Sequence, residues 1–432
     1  MDPTAIFILM TIGLVALFFL GVPIYIAFLI CNLLGLVMMI GLDGIGLFTN
    51  SIITTATFNS LLTLPFFILM GDILYRSSAV DTLVKASDTL VGRIRGRHYF
   101  LSIVVSTILA TLAGSAMASA AMLCRTIYPA LKSGGYNRSM SLGVIMGGAC
   151  LAPIIPPSVL AIIIATIAQV SIADMFMAGI IPGLLIGGLF VAYICVRVWI
   201  NPQLAPANDD YVKPSSGQVL RALFQLLPFS IVILVVTGSI VLGVATPSES
   251  AIIATLCALM VAAFYRRLSL SMIIDSLKST ASITGMIMAI IVSSQLFSQL
   301  LAFSGTGSAI QQFVTSLDLS YGVMLFLLMA IPFVICMFLD EVAAMLILIP
   351  IYMPILAAYE FPSVWFWTLF LINMSLGAIA PPIGYVLFVM KGVLRDVTMM
   401  DLFKASIPYV LLFILAMFIM GAFPELVLIA VN

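Results

Sequence analysis

Long apolar runs, broken by short polar punctuation, set out this chain before any single residue does. Helices of bilayer-crossing length are predicted at 4–20, 23–40 and 50–76, the last beginning along the interface. The segment 80–97 is polar on one face and carries Lys85, Arg93, Arg95 and Arg97, so it reads as an amphipathic helix on a membrane surface. Residues 100–131 are apolar but interrupted by GSAMAS at 114–119. Each arm is about 13 residues long, against the ~20 needed to span, which predicts a re-entrant hairpin. A polar turn at 132–138 leads into 139–170, and 175–200 is an ordinary span. The hydrophilic stretch 201–217 divides the chain. Beyond it, spans are predicted at 220–242, 248–265 and 281–303, with surface stretches at 266–280 and 304–320. A second interrupted segment covers 322–357, a second broken helix 363–394 and a last span 405–424.

Two breaks matter most. GACLAPIIPPS at 148–158 and LGAIAPPIG at 376–384 both interrupt runs that are otherwise helical. A helix broken inside a bilayer strands backbone groups at about 2–7 kcal/mol each, so such breaks persist where protein, water, an ion or a substrate supplies partners.

The breaks belong to a recurrence. Pro23 aligns with Pro247 at an offset of 247 − 23 = 224, and Tyr128 with Tyr352 at 352 − 128 = 224. The triplet AML at 121–123 returns at 344–346, Pro156-Pro157 at Pro381-Pro382, and Pro182 at Pro408. The ordered set, more than any one match, indicates a duplication: a first repeat over 1–200, a linker over 201–217 and a second repeat over 218–432.

Composition narrows the class. Of 432 residues, 63% are apolar and 8% charged, with a mean hydropathy of +1.28; a soluble chain carries about a quarter charged residues. The expectation is an all-α polytopic membrane protein. The net charge is zero, so nothing points to nucleic acid. The N-terminal MDPT lacks the basic start of a cleaved signal, so the first apolar run is expected to be retained. Cys31, Cys124, Cys150, Cys195, Cys257 and Cys336 lie in apolar stretches without CxxC spacing and read as small core residues. His98 is the sole histidine, which excludes a histidine-based metal site or triad.

Charge also orients the chain. Lys and Arg gather at 76–97, 132–138, 197–221, 266–278 and 391–404 and are missing from 41–49, 171–175, 243–248, 304–320 and 358–362. With the basic set in the cytoplasm, both termini and 304–320 lie outside, and the linker and 80–97 lie inside. Hairpin one then enters from the cytoplasm and hairpin two from outside. The repeats are inverted, their tips meeting near the midplane, as in secondary transporters.

Few residues could carry chemistry. Gly114, Ser115 and Ser119 at the first tip read either as small residues permitting close helix packing or as hard oxygen donors for sodium. Asp340 and Glu341 at the second tip are adjacent carboxylates in an apolar run, each costing about 2.5–3.5 kcal/mol at mid-bilayer unless it snorkels outward. Neighbours on a helix diverge by about 100°, so the pair need not share a role. Arg125 could face a carboxylate substrate, pair with Asp340 or reach the headgroups. Glu249, Asp72 and Asp174 fall near span ends, where capping explains them. Each Pro-Pro loop offers carbonyls with few amides. The half-helix before it presents a negative end to a cation, and the half-helix after it a positive end to an anion.

The motifs GSA at 114–116, GGY at 134–136, IPPS at 155–158, AGIIPG at 178–183 and APPIG at 380–384 together resemble the large membrane subunit of TRAP transporters over essentially the whole chain. The resemblance implies an elevator-type, sodium-driven importer of the bacterial inner membrane. It implies as partners a small four-helix membrane subunit, expected here as a separate chain, and a periplasmic binding protein that delivers an organic acid such as sialic acid or a C4-dicarboxylate. Candidates for docking that protein are 304–320 and the outer loops. The resemblance seats Na+ between each hairpin tip and its Pro-Pro loop. The implied cation set is Gly114, Ser115, Gly148, Ala152, Pro153, Phe338, Asp340, Gly377, Ala380 and Pro381; the implied substrate set is Ser115, Ser119, Arg125, Asp340, Pro157 and Ser158. Arg125 stands where the family pattern leads one to expect a small or apolar residue. A self-sufficient ion-coupled anion carrier or antiporter of the same wider fold is the alternative. An aspartyl hydrolase would need a second carboxylate from another helix, and the first tip supplies only serines, so no enzyme is expected.

Overall fold

The computed structural model describes residues 3–77, 79–91, 95–113, 115–206 and 214–431. Gly114, Arg93 and the centre of the linker, 207–213, lie outside the described residues. All the regular secondary structure among the described residues is helical, and six of the helices are long and apolar enough to cross a membrane.

The first half opens with α1 (Pro3–Phe19), α2 (Ile24–Met39), α3 (Ile45–Ala56) and α4 (Thr63–Arg76). The single span expected over 50–76 is therefore two helices. α3 ends at Thr57, whose N–H donates to the Ile53 carbonyl at 3.0 Å, and Pro65, which has no N–H to give a continuing helix, falls in the first turn of α4 where none is required. The amphipathic helix α5 (Ala79–Leu90) follows, shorter than the predicted 80–97. The hairpin is built from α6 (Arg97–Ala113) and α7 (Ala116–Thr126), with α8 (Tyr128–Ser133) closing it. The broken helix is α9 (Arg138–Ala149) and α10 (Val159–Ile167), and α11 (Ile172–Ile200) ends the half.

The second half runs α12 (Ser216–Val241), α13 (Pro247–Phe264) and α14 (Leu270–Phe303). Here too a prediction needs correcting: the surface stretch 266–280 and the span 281–303 form one helix of 34 residues. Asp275 and Lys278 lower the local hydropathy, yet no proline interrupts Leu270–Phe303, so the helix continues for about 51 Å and outruns a ~30 Å hydrocarbon core. Then come α15 (Thr306–Ser316), the hairpin α16 (Tyr321–Cys336) and α17 (Glu341–Tyr359), the broken helix α18 (Ser363–Gly377) and α19 (Tyr385–Val393), α20 (Met399–Ala422) and the short α21 (Glu425–Leu428).

Packing between the halves is reciprocal. In each half the first hairpin arm lies on the first part of its own broken helix, α6 on α9 and α16 on α18. The second arm crosses over, α7 onto α19 and α17 onto α10. Outside this assembly α4 packs on α13 and α14 on α2. The main core is centred on the hairpins and broken helices, with Trp365, Trp367 and Phe370 of α18 fully enclosed.

The span-end acids have local roles. Glu249 completes a capping box with Thr246, accepting from its N–H at 2.8 Å. Asp72 pairs with Arg76 at 2.6 Å, and Asp174 lies in the first turn of α11 behind the Ser171 cap. All six cysteines are free; Cys195 alone is exposed.

Candidate functional site

Each hairpin tip ends in a polar cap. Ser115 is the N-cap of α7, its Oγ accepting from the Ala118 N–H at 3.5 Å. Asp340 is the N-cap of α17, its carboxylate accepting from the Val342 N–H at 2.9 Å. The two caps stand at equivalent places in the two halves, 340 − 115 = 225 positions apart, matching the separation of the Pro-Pro pairs. A cap satisfies an orphan amide of the first turn, so Asp340 is anchored locally and does not snorkel freely. One turn beyond Ser115, Ser119 is fully buried, and its hydroxyl has no hydrogen-bond partner among the described residues.

The first Pro-Pro loop is enclosed. From Cys150 to Ser158 only Ile155 is more than marginally accessible, and the Pro156-Pro157 peptide is cis. Close approach of α11 makes this possible: a Cβ on Gly179 would sit 2.4 Å from the Ile154 carbonyl oxygen, and one on Gly183 would sit 2.5 Å from Ile155 Cγ1. The Gly148 carbonyl accepts from the Leu151 N–H and the Ala149 carbonyl from the Ala152 N–H, both at 3.2 Å. No hydrogen bond among the described residues reaches the carbonyls of Ala152, Pro153, Pro156 or Pro157. Ser158, buried, caps α10 by accepting from the Ala161 N–H at 3.1 Å. The second loop is similar in plan and more open. Pro381-Pro382 is also cis, and Gly377 and Ala380 carbonyls accept from Ala380 and Gly384 N–H groups at 3.2 and 3.0 Å. The Pro381 carbonyl accepts nothing among the described residues, while Pro382 and Ile383 are exposed.

Glycine fixes how closely each first arm approaches its broken helix. A Cβ on Gly148 would lie 2.3 Å from Ser106 Oγ of α6, and one on Gly377 would lie 2.4 Å from Cys336 Cβ of α16. Both glycines are thus packing residues as well as carbonyl donors.

The predicted set is only partly brought together. Ser115, Ser119, Gly148, Ala152, Pro153, Pro157 and Ser158 belong to the first tip and loop; Asp340, Gly377, Ala380 and Pro381 belong to the second. Gly114 falls outside the described residues. Phe338 is exposed, and its N–H donates to the Ile335 carbonyl at 3.0 Å. Arg125 lies in the last turn of α7 on its exposed face, with no ion pair to Asp340.

One residue left out of that set is prominent in three dimensions. Glu341 is only 7% exposed, the sole charged side chain buried among the described residues, and its Oε2 has no hydrogen-bond partner. Tyr385, the first residue of α19, lies against this carboxylate, and its buried hydroxyl also lacks a well-aligned partner. The adjacent pair Asp-Glu at a helix start was the only sequence signal.

Ion pairs tie α8 and α9 to the segment after α19 and to the first turn of α20. Lys132 meets Asp396 at 2.6 Å and Arg138 meets Asp401 at 3.1 Å. Arg138 also donates to the Asp396 carbonyl.

Interrupted hairpins packed crosswise on proline-broken helices define a polytopic helical membrane transporter rather than an enzyme. The chain belongs to the family described as "Tripartite ATP-independent periplasmic transporter, DctM component", whose model matches residues 11–426, and is the large membrane subunit of a TRAP transporter. It is 30% identical over 95% of its length to a Haemophilus influenzae protein named as a TRAP transporter large permease, covering 95% of that protein. It is 29% identical to the 2,3-diketo-L-gulonate TRAP transporter large permease protein YiaN of Escherichia coli, with 95% of each chain covered. Among solved structures it is similar to the Alcanivorax borkumensis YdaH transporter, with a TM-score of 0.69, 15% identity and coverage of 99% and 100%; this likeness concerns the fold alone. Family membership makes the chain a multi-pass protein of the bacterial inner membrane and implies association with a small membrane subunit and a periplasmic binding protein.

Proposed function

We propose that this subunit imports an organic acid by sodium-coupled, elevator-type movement of the hairpins and broken helices as one body. Its substrate would arrive on a periplasmic binding protein, and its small membrane partner would have four helices. The observation that carries the reading is the pairing of polar tips with loops of unsatisfied carbonyls. Ser115 and Ser119 stand on one hairpin and Asp340 on the other, on arms that pack on the broken helices, α7 on α9 and α19 and α17 on α10, whose loops have carbonyls at Ala152, Pro153 and Pro381 that accept no hydrogen bond among the described residues. Neutral oxygens of this kind suit a hard monovalent cation. Sodium in this reading is cargo, bound and released with the substrate.

The inverted-repeat reading is supported by the crosswise packing of α7 on α19 and α17 on α10. The ion pairs joining 132–138 to 396–401 agree with a common cytoplasmic side for those basic segments, and so with both termini in the periplasm. The relatives carry names for 2,3-diketo-L-gulonate, C4-dicarboxylate, ectoine and sialic acid, which supports organic acids as the general class.

The test is uptake by proteoliposomes holding this chain and its small subunit, with the binding protein and labelled substrate outside. An inward sodium gradient should drive accumulation, and dissipating it should abolish accumulation. Equal uptake without the gradient would refute sodium coupling.

A further inference from the structure

We propose that the cleft between α17 and the ends of α14 and α15 is a reception subsite for an uncharged, hydroxyl-rich part of the substrate, and that the substrate is a polyhydroxylated acid of the sugar-acid class. This rests on the importer reading above and narrows its substrate class.

The cleft has a volume of about 410 Å³, which lies within the range of small-molecule sites. One wall is the turn after α10 together with α17; the other is the C-terminal end of α14 with α15, and both of these helices pack on α17. Its polar side chains are Gln169, Gln295, Ser298, Ser308 and Gln311, and no Asp, Glu, Lys or Arg lines it among the described residues. Gln295 and Ser298 on α14 are three residues apart, as are Ser308 and Gln311 on α15, so each pair shares one helix face. A backbone acceptor adds to them. Pro350 lines the cleft, and Pro354, four residues on, has no N–H to return to the Pro350 carbonyl.

The amides are not used by the fold. The side chains of Gln169, Gln295 and Gln311 make no hydrogen bond among the described residues, whereas Gln299, four residues beyond Gln295, accepts from Ser51 at 3.2 Å. Gln169 stands at φ +56°, just past the end of α10, where the Val170 N–H donates back to the Ala165 carbonyl at 2.9 Å. That is the position glycine fills most easily. A glutamine there bears a conformational cost that glycine would not, and it places an amide at the cleft. Amides and hydroxyls both donate and accept, which is what a polyol chain requires. A carboxylate brings only acceptors and a charge, and a small dicarboxylate would meet no cation here. A quaternary ammonium would meet neither a carboxylate nor an aromatic ring. The acid end of the substrate thus lies outside this subsite.

The experiment is thermal stabilisation of the detergent-purified complex of this chain with its small subunit, in saturating sodium and without a gradient. The probes are gluconate, glucuronate and N-acetylneuraminate, with hexanoate and succinate as acids that lack a hydroxyl chain. At least one polyhydroxylated acid should raise the wild-type melting temperature by several degrees, and hexanoate and succinate should not. Gln295→Leu should weaken that acid about tenfold, read from the concentration that gives half the shift. Gln169→Gly relieves the positive φ, so it should melt no lower than wild type while weakening the same acid, and it covers the case of a Leu variant that does not fold. With the exposed Cys195 replaced by serine, maleimide labelling of Ser308→Cys should slow when the acid is present. No shift with any polyhydroxylated acid, an equal shift with hexanoate or succinate, unchanged affinity in a folded glutamine variant, or unprotected labelling at position 308 would overturn the proposal. Sodium-driven uptake of succinate in the proteoliposome assay would sink the sugar-acid class and leave the importer standing. Sodium-independent uptake would count against the importer reading and leave the cleft's ligand to the melting and labelling results.

Discussion

Gly148 and Ser106 approach so closely that a methyl group on the glycine would lie 2.3 Å from the serine Oγ and 2.6 Å from its Cβ. The hairpin is held against the broken helix at the very place where its carbonyls turn out of helical register. Gly148→Ala should therefore destabilise the protein by about 1–3 kcal/mol through overpacking. Its melting temperature should fall, and Ser106→Gly in the same chain should recover part of the loss. Full stability of the single variant would show that α6 can simply step back.

Ser119 offers a separation of stability from transport. Its buried hydroxyl bonds to nothing among the described residues, so replacing it removes an unsatisfied group, which is neutral or stabilising. Ser119→Ala should melt at or above the wild-type temperature while needing more sodium for half-maximal uptake. A wild-type sodium dependence would reduce Ser119 to a packing residue.

Asp340 combines a cap with a charge, and two substitutions pull these apart. Asp340→Ala loses the cap and about 1 kcal/mol. Asp340→Asn keeps an acceptor for the Val342 N–H and should melt close to wild type. Both should lose sodium-driven uptake. If the Asn variant transports normally, the carboxylate serves α17 and nothing else.

The Lys132–Asp396 pair carries a pH signature. The Lys132 ammonium holds the Asp396 carboxyl below its ordinary 3.8. A depressed carboxyl stabilises the fold at pH values above its unfolded titration, and that contribution disappears as pH falls through the folded one. Asp396→Asn should thus melt lower than wild type at pH 7, with the gap closing below about pH 4. The pair is exposed, so 0.5 M salt should also shrink the gap. A gap that persists in acid would assign the loss to something other than charge.

Much of the architecture was legible because its breaks are chemical. Proline pairs and short small-residue tips cannot be hidden in a helix, and Pro156-Pro157 and Pro381-Pro382 announced both loops. Continuity was harder to see. Asp275 and Lys278 made the start of α14 look like a surface segment, although two charges do not end a helix that has no breaker. The split between α3 and α4 has one mark in the sequence, Pro65, which falls in the first turn of α4 inside an otherwise continuous apolar run. Arg125 could have been placed by period alone: Ala116, Ser119, Ala120, Leu123 and Cys124 trace the buried face of α7, and Arg125 lies off it. Glu341 could not. Two neighbouring carboxylates point about 100° apart, and only the burial of Glu341, with Tyr385 against it, tells which one faces inward.

The unlike caps at matching tips, serine on one and aspartate on the other, have an electrical consequence. If the hairpins travel together across the membrane and sodium binds at the second tip, the Asp340 charge is cancelled on the loaded journey and uncancelled on the empty one. A unit charge moving through the whole potential is worth about 2.3 kcal/mol per 100 mV. The loaded and unloaded journeys would then feel the membrane voltage differently, and the cell's resting potential would act on the return of the empty carrier through a single carboxylate.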